Sequence, residues 1–208
     1  GKSVAFTFGR FNPPTIGHEK LIRKVLSTPG NVKKIYLSRS QDSKKNPLSP
    51  RDKLNVMKDM FPTHARNIEL NPTNMVLDLA TNLYKKGYSD VTMVVGSDRV
   101  REFEGILKKY NDVKSRHGYY NFDSIKVVSA GERDPDAEGA TGMSASKMRA
   151  AAEKGDEKSF SKGVPSGYRK VPQLMKMVRQ GMNLAASYGG MIHSAPEKPI
   201  ASLKEFEQ

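Results

Sequence analysis

A loop rich in glycine and proline directly follows the first apolar run of the chain, and its residue types suit a phosphate site. The loop reads Gly9-Arg10-Phe11-Asn12-Pro13-Pro14-Thr15-Ile16-Gly17-His18. Gly9 allows the backbone to approach a ligand closely, and Gly17 opens a predicted helix whose unbonded N–H groups attract anions. His18 lies in the first turn of that helix, where its imidazole can point at the same anion. The Walker A spacing GxxxxGK[ST] is absent, which excludes a P-loop protein.

A second polar segment lies after the last predicted strand, and it reads Met143-Ser144-Ala145-Ser146-Lys147-Met148-Arg149. Ser144 and Ser146 can cap a helix that begins there and can donate hydroxyl hydrogen bonds. Arg149 offers a planar fork of donors for phosphate oxygens. Taken alone, the segment is better explained as an ordinary helix cap with a surface arginine. Together with the first loop, it predicts a second contribution to one phosphate site.

These two segments resemble a known superfamily. The first resembles the G-x-F-x-P-x-[H/T]-x-G-H motif of the nucleotidyltransferases related to class I aminoacyl-tRNA synthetases, and its GRF-x-P form is most similar to nicotinamide mononucleotide adenylyltransferases. The second is similar to the I-S-S-T-x-x-R segment of the superfamily. The resemblance implies that His18 contacts the triphosphate and stabilises charge at the attacked α-phosphate. Thr15 occupies a position that is often histidine in the superfamily, so one imidazole is missing here.

Two weaker segments agree with this resemblance. Gly96-Ser97-Asp98 resembles the G-x-D with which adenylyltransferases contact the nucleotide or the acceptor, although Asp98 could equally cap a helix. The basic residues Arg39, Lys44 and Lys45 precede an Asn-Pro pair, as in adenylyltransferases, and they could hold the phosphate of an acceptor. A solvated loop is the alternative explanation for the two lysines.

The predicted site therefore has three groups of residues. The expected catalytic residues are His18, Arg149 and Thr15. The expected nucleotide-binding residues are Gly9, Arg10, Phe11, Gly17, Ser144, Ser146 and Asp98, and the expected acceptor-binding residues are Arg39, Lys44 and Lys45. No protein metal site is predicted, because the four histidines are scattered and the acidic residues between 132 and 138 read better as a solvated loop. We expect Mg²⁺ to be held mainly by substrate oxygens and water.

The periodicity of apolar residues predicts the elements that position this site. Strands are predicted at residues 4–8, 32–38, 68–70, 91–95 and 124–129. Helices are predicted at residues 17–27, 50–60, 74–86, 99–110, 146–154, 157–162 and 171–186. The alternation of strands and helices indicates an α/β fold, a Rossmann-like parallel sheet with helices on both faces and a helical C-terminal segment. The nearly continuous apolar run at residues 91–95 is typical of a central parallel strand.

The resemblance to nucleotidyltransferases covers roughly residues 4–165, which predicts a nucleotidyltransferase domain at 1–165. Residues 166–208 are expected to form a helical extension and a tail. From about residue 189 the tail has turn residues and little periodicity, so we expect it to need a partner surface. Its deletion should leave the folded core intact.

Composition narrows the function further. The 208 residues contain no cysteine, which excludes thiolate catalysis and disulfides. No apolar run reaches the roughly 18 residues of a membrane span, so no membrane partner is expected. The formal charge of +13 is explained only in part by a phosphate site. A polyanion or protein assembly that binds the basic surface and the tail is a further possible partner. We expect a cytoplasmic or virion-associated protein.

The residues together predict an adenylyltransferase that moves AMP from ATP to a phosphorylated acceptor, with nicotinamide mononucleotide favoured, and releases pyrophosphate. One alternative is a cytidylyltransferase that acts on a phosphorylated alcohol. Another is a structural or virion component that retains the nucleotidyltransferase fold. The high basic charge and the tail favour that last alternative, whereas His18 and Arg149 favour an active site.

Overall fold

The computed structural model describes residues 1–131 and 143–184, and these form an open parallel sheet between two layers of helices. The five strands are β1 Lys2–Gly9, β2 Val32–Leu37, β3 Ile68–Leu70, β4 Tyr88–Val95 and β5 Ser124–Ser129. Their order across the sheet is β3-β2-β1-β4-β5, and every neighbouring pair is parallel. The predicted Rossmann-like α/β class is therefore confirmed.

The helices connect the strands and then form a C-terminal group. They are α1 Glu19–Ser27, α2 Pro50–Met60, α3 Val76–Lys85, α4 Val100–Lys109, α5 Ala145–Lys154, α6 Glu157–Ser161 and α7 Val171–Gly181. Short 3₁₀ turns precede α1, β3 and α4, at Ile16–His18, Pro62–Asn67 and Ser97–Arg99. Within the described parts of the chain, every helix is too short or too polar to cross a membrane.

Local sequence explains where several helices begin and end. Ser49 caps α2 by accepting a hydrogen bond from the N–H of Asp52, and Pro50 fills the first helical position, where no N–H is needed. Ser144 caps α5 in the same way, and Gly155 ends that helix with a left-handed φ of 71°. Such caps stabilise a helix by about 1 kcal/mol each.

The strands alternate their side chains between two hydrophobic clusters. Ile35 and Leu37 pack with α1, α2 and the C-terminal helices, whereas Tyr36 faces the opposite side with α3 and α4. On β4, Val94 joins the first cluster and Met93 the second. Because both faces are covered, the strands are apolar on both sides, and burying each large side chain contributes about 1.5–3 kcal/mol.

The C-terminal helix α7 packs onto the sheet domain. Leu174 and Val178 are fully buried in the first cluster, and Nη1 of Arg179 donates to the carbonyl oxygens of Ala152 and Glu153 at the end of α5, at 2.5 and 3.3 Å. These contacts join α7 to the residues before 165, while the predicted domain boundary itself stays a prediction. The predicted tail, from residue 185 onward, lies outside the described residues, as do residues 132–142.

Several helix boundaries differ from prediction for local reasons. The helix predicted from residue 17 begins as a 3₁₀ turn, because Thr15 caps it and tightens its first turn. The helix predicted from residue 74 begins at Val76, since the Asn74 side chain accepts a hydrogen bond from the N–H of Arg39. The last helix ends at Gly181, before the predicted residue 186, and Asn183 follows with a positive φ of 62°.

Candidate active site

The carboxyl ends of β1 and β4 meet where the order of the sheet reverses. The chain adds β2 and β3 on one side of β1 and then crosses to β4 and β5 on the other. Open parallel sheets bind their ligands at such a switch point. Arg10 directly follows β1, and the exposed Asp98 lies just after β4 in the Ser97–Arg99 turn. Both predicted nucleotide-binding segments therefore reach this edge of the sheet.

The loop of residues 9–18, here termed the phosphate loop, holds an aromatic ring beneath its histidine. Phe11 is 2% exposed and adopts a positive φ of 48°. Its ring packs edge-on against the imidazole of His18, with the ring centroids 4.6 Å apart. At the start of the loop, the carbonyl oxygen of Gly9 accepts a hydrogen bond from the N–H of Ser38 at 2.9 Å. Phe11 thus contacts His18 from the core, and its predicted contact with a nucleotide stays a prediction.

Thr15 determines which nitrogen of His18 can donate. The backbone N–H of Thr15 donates to Nδ1 of His18 at 2.9 Å, so Nδ1 is an acceptor. In the neutral ring the proton is then on Nε2, which is the donor nitrogen of the imidazole. The hydroxyl of Thr15 accepts from the N–H of Gly17 at 3.0 Å and donates to the carbonyl oxygen of Met143 at 3.0 Å. Thr15 is 1% exposed, so its hydroxyl is buried among protein groups, and its predicted catalytic role stays a prediction.

The contact with Met143 brings the second predicted motif beside the first. A Cβ atom added to Gly17 would lie 2.8 Å from the carbonyl oxygen of Met143, so the approach of the two segments requires glycine. Ser144 accepts from the N–H of Lys147 at 3.1 Å, and its hydroxyl lies 2.9 Å from that of Ser146. The positive end of the α5 dipole therefore lies next to His18, where it favours an anion.

Arg149 is largely buried and binds the phosphate loop. It is 8% exposed, and its Nη1 donates to the backbone carbonyl oxygen of Asn12 at 2.8 Å. The sequence pattern assigned its guanidinium to phosphate oxygens, and the structure adds a link between α5 and the phosphate loop. A direct contact of the guanidinium with a triphosphate stays a prediction.

The predicted acceptor-binding residues lie on the loop after β2. Residues 38–48 are here termed the acceptor loop. Nε of Arg39 donates to the carbonyl oxygen of Asn71 at 3.2 Å, which holds the arginine toward the loop after β3. The exposed Lys44 and Lys45 lie on a turn closed by Asp42, whose carboxylate accepts their backbone N–H groups at 2.9 and 2.7 Å. Among the described residues, neither lysine makes a hydrogen bond or an ion pair with the phosphate loop, so their role stays a prediction.

The turn that presents these lysines depends on an ionised carboxylate. Burial by itself would raise the pKa of Asp42, but hydrogen bonds from the Asn46 side chain and from the backbone N–H groups of Lys45, Lys44 and Asn46 outweigh it and lower the pKa. The side-chain bond from Asn46 to Asp42 is 2.8 Å long. Asp42 is thus a structural residue of the acceptor loop.

Lys53 is a further cation of this region that the sequence patterns did not assign. It is fully buried on α2, and its ammonium donates to the hydroxyl of Ser38 at 3.3 Å, at the carboxyl end of β2. A signal was present in the sequence, since Lys53 falls on the same helical stripe as Val56, Met57 and Met60. A lysine at a core position of a helix is costly to bury and is typical of functional sites.

Protein ligands for a metal are scarce in this region. Among residues 1–131 and 143–184, no three histidine, cysteine, aspartate or glutamate side chains come together in a way that could hold an ion. The acidic residues between 132 and 138 fall outside the described residues. The described part of the candidate site instead contains groups that can donate hydrogen bonds to an anion. These are His18, the first N–H groups of α5 and the ammonium of Lys53.

Comparison with known proteins agrees with this arrangement. The model of the cytidylyltransferase-like family matches residues 6–160, which contain both the phosphate loop and the start of α5. A search of curated proteins found no match. The family match extends over most of the chain and coincides with a parallel sheet whose switch point carries a glycine-rich loop, a histidine and a helix N-terminus. The chain belongs to the cytidylyltransferase-like family of the nucleotidyltransferase superfamily.

Proposed function

We propose that the chain transfers AMP from ATP to a phosphorylated acceptor, with nicotinamide mononucleotide favoured, and releases pyrophosphate. Family membership supports nucleotidyltransferase activity in general. The observation that carries the proposal is the hydrogen bond from the Thr15 N–H to Nδ1 of His18, which assigns the proton of the neutral ring to Nε2, next to the segment that begins α5. The GRF-x-P form of the phosphate loop and the Gly96-Ser97-Asp98 segment favour adenylyl transfer.

The reaction needs no covalent bond to the protein. An oxygen of the acceptor phosphate attacks the α-phosphorus of ATP and forms a phosphoanhydride bond. The bond from the α-phosphorus to the oxygen that bridges to the β-phosphate breaks, and its electron pair leaves with pyrophosphate. Catalysis then depends on holding the two phosphates together and on stabilising the charge that develops on the α-phosphate.

His18 and α5 supply that stabilisation. The Nε2–H of His18 donates to an oxygen of the attacked phosphate, because Thr15 and Phe11 fix the ring. The first N–H groups of α5 and the hydroxyls of Ser144 and Ser146 bind the departing pyrophosphate oxygens. A fixed donor of this kind contributes roughly 10²- to 10³-fold to turnover. Arg10, within the phosphate loop, and Arg149, which binds that loop at Asn12, add positive charge.

Mg²⁺ would enter with the triphosphate as part of the substrate. The side chains of His18, Ser144, Ser146 and Arg149 can donate to phosphate oxygens, which supports an ion held by those oxygens and by water. When bound, the ion neutralises charge on the triphosphate. On the acceptor side, the buried ammonium of Lys53 and the cations of Arg39, Lys44 and Lys45 offset the charge of the second phosphate.

Cytidylyl transfer from CTP to a phosphorylated alcohol is the second candidate, since the matching family is described as cytidylyltransferase-like.

A structural role in a larger assembly is the third candidate. Residues 143–184 contain nine lysines and arginines against three acidic residues, so the C-terminal helices carry much of the basic excess. Residues 185–208 contain two lysines and three glutamates, so the basic charge lies elsewhere than in the tail.

The test is a pyrophosphate-release assay with ATP or CTP against a panel of phosphorylated acceptors. We expect release with ATP and nicotinamide mononucleotide, and a roughly 10²- to 10³-fold lower turnover for His18→Ala with little change in melting temperature. His64→Ala is the matched control, because His64 lies in the Pro62–Asn67 turn, away from the phosphate loop. Release with CTP only would assign the chain to cytidylyl transfer. Release with no pair, in a protein that binds a polyanion, would favour the assembly role.

A further inference from the structure

Asn12 makes a reciprocal pair of hydrogen bonds with one residue of the acceptor loop. Its side-chain Nδ2 donates to the carbonyl oxygen of Leu48 at 3.1 Å, and its Oδ1 accepts from the N–H of Leu48 at 2.8 Å. Both residues are only 1% exposed. The side-chain amide of Asn12 therefore provides hydrogen-bond partners for both the N–H and the carbonyl oxygen of Leu48, which are buried away from water.

The backbone of Asn12 has a different partner. Its carbonyl oxygen accepts from Nη1 of Arg149 at 2.8 Å, and Arg149 belongs to α5, whose N-terminus lies beside His18. One residue of the phosphate loop thus touches both the acceptor loop and α5. These partners lie 36 and 137 residues away along the chain.

We infer that Asn12 is a positioning residue that holds the acceptor loop in register with the phosphate loop and α5. It contacts no substrate itself and acts through Leu48 and Arg149. This inference rests on the proposed function, because the acceptor loop and the phosphate loop would carry the two reacting phosphates. In-line attack requires these phosphates to be held close together in a defined orientation.

Loss of the Asn12 side chain leaves the N–H and carbonyl oxygen of Leu48 buried without their partners. The acceptor loop regains hydrogen bonds by moving toward water, since unpaired buried peptide groups are unfavourable. A displacement of about 1 Å between reacting groups can lower a rate about 10²-fold. The effect falls on the acceptor first, because ATP is bound mainly by the phosphate loop and α5.

The chain offers a matched control at the other end of the sheet. Nδ2 of Asn111 donates to the carbonyl oxygen of Phe122 at 3.2 Å, and its Oδ1 accepts from the N–H of Phe122 at 2.8 Å. This pair repeats the pattern of Asn12 and Leu48, yet it lies just before the amino end of β5, away from the phosphate loop. Asn111→Ala removes this pair of bonds, and a longer one of 3.4 Å from Nδ2 to Oδ1 of Asn121, without touching the proposed site.

The experiment compares Asn12→Ala with Asn111→Ala in pyrophosphate release from MgATP and nicotinamide mononucleotide, together with melting temperature. We expect both variants to lose melting temperature. Only Asn12→Ala should lose about 10- to 10²-fold in kcat, with a raised KM for the acceptor and a smaller change in KM for ATP. Equal losses of activity in the two variants, or wild-type kcat in Asn12→Ala, would overturn the inference.

Replacing Asn12 by an ionisable residue adds a second test. If Asn12 positions the acceptor loop, the turnover of such a variant depends on pH, whereas a residue that contributes only to stability gives no such dependence. In Asn12→Asp, the protonated carboxyl can donate to the carbonyl oxygen of Leu48 as the amide does, whereas the ionised carboxylate cannot. Turnover relative to the wild type should therefore recover as the pH falls. Asn111→Asp should show no such recovery. A flat profile in Asn12→Asp contradicts the inference.

Hydrogen exchange separates this inference from the proposed function. Asn12→Ala should speed amide exchange in residues 42–48 and in residues 144–150, while Asn111→Ala should leave both segments unchanged. If the wild type releases no pyrophosphate with any donor and acceptor, the proposed function fails, and the exchange pattern alone decides whether Asn12 joins the two loops. Unchanged exchange in residues 42–48 of Asn12→Ala would refute the inference whatever the activity.

Discussion

The N–H of Thr15 donates to Nδ1 of His18 at 2.9 Å. The residue that caps the first helical turn therefore also determines which ring nitrogen of this histidine carries the proton. The same threonine binds Met143 through its hydroxyl. A capping residue is usually a feature of stability alone. Here it also sets the tautomer of the proposed phosphate donor and joins the two motifs, so one residue links the stability of the turn to the proposed catalysis.

The Thr15 hydroxyl is therefore expected to affect both properties. Thr15→Val keeps the shape of the side chain but removes the bonds to Gly17 and Met143, and loss of such a cap costs about 0.5–2 kcal/mol. We expect lower turnover as well, because the segment that begins α5 loses one of its bonds to the phosphate loop and keeps the one from Arg149 to Asn12. Denaturant unfolding and pyrophosphate release measure the two effects. Thr15→Ser retains the hydroxyl and should restore most of both; failure of serine to do so would assign the effect to the methyl group.

Replacing Lys53 should affect the stability of the protein and its affinity for the acceptor differently. A methionine of similar length replaces a buried charge by an apolar group, a change that is often neutral or stabilising. We expect Lys53→Met to keep or raise the free energy of unfolding and to weaken binding of the phosphorylated acceptor. Calorimetric titration with the acceptor and denaturant unfolding test this directly. Lys58→Met, at a partly buried position of the same helix, is the control for a change of net charge. Unchanged affinity in Lys53→Met would make that lysine a structural residue.

Gly181 should be intolerant of a side chain. A Cβ atom at the end of α7 would overlap the carbonyl oxygen of Pro47, a backbone atom that cannot rotate away. Gly181→Ala is therefore expected to destabilise the protein by about 1–3 kcal/mol, as overpacking does. Gly105→Ala is the contrasting control, because Gly105 lies inside α4 with open space around it. It should stabilise the protein by about 0.5–1 kcal/mol. Equal melting temperatures for the two variants would show that α7 does not press on the acceptor loop.

Asp42 should make the acceptor loop sensitive to acid. Its pKa is lowered in the folded protein, so its contribution to stability is fully present above the pKa of the unfolded chain, about 3.9 for aspartate. That contribution is lost as the pH falls through the lower folded value. We expect the difference in unfolding free energy between the wild type and Asp42→Asn to shrink between about pH 4 and the acid limit. Denaturant titrations at several pH values measure it, and a difference that stays constant with pH would argue against an ionised Asp42 in the turn.

Local sequence was sufficient for much of the fold. The apolar run at residues 91–95 identified β4, which is an interior strand between β1 and β5, although the central strand of the sheet is β1. Pro50 marked the start of α2 at the observed residue. Gly17 and His18 were recognised as the opening of a helix after β1. Periodicity and caps are properties of neighbouring residues, so a single segment of chain contains the whole signal.

The tertiary structure alone decided how these segments act on one another. Thr15 meets Met143 across 128 residues and Arg149 meets Asn12 across 137, and no local pattern predicts either bond. The burial of Lys53 follows from the helices packed over α2, and the contact of Gly181 with Pro47 follows from the docking of α7. The reason is physical: residue types and spacing determine which groups can cap, donate or be buried, whereas sheet order and helix packing determine which distant groups become their partners.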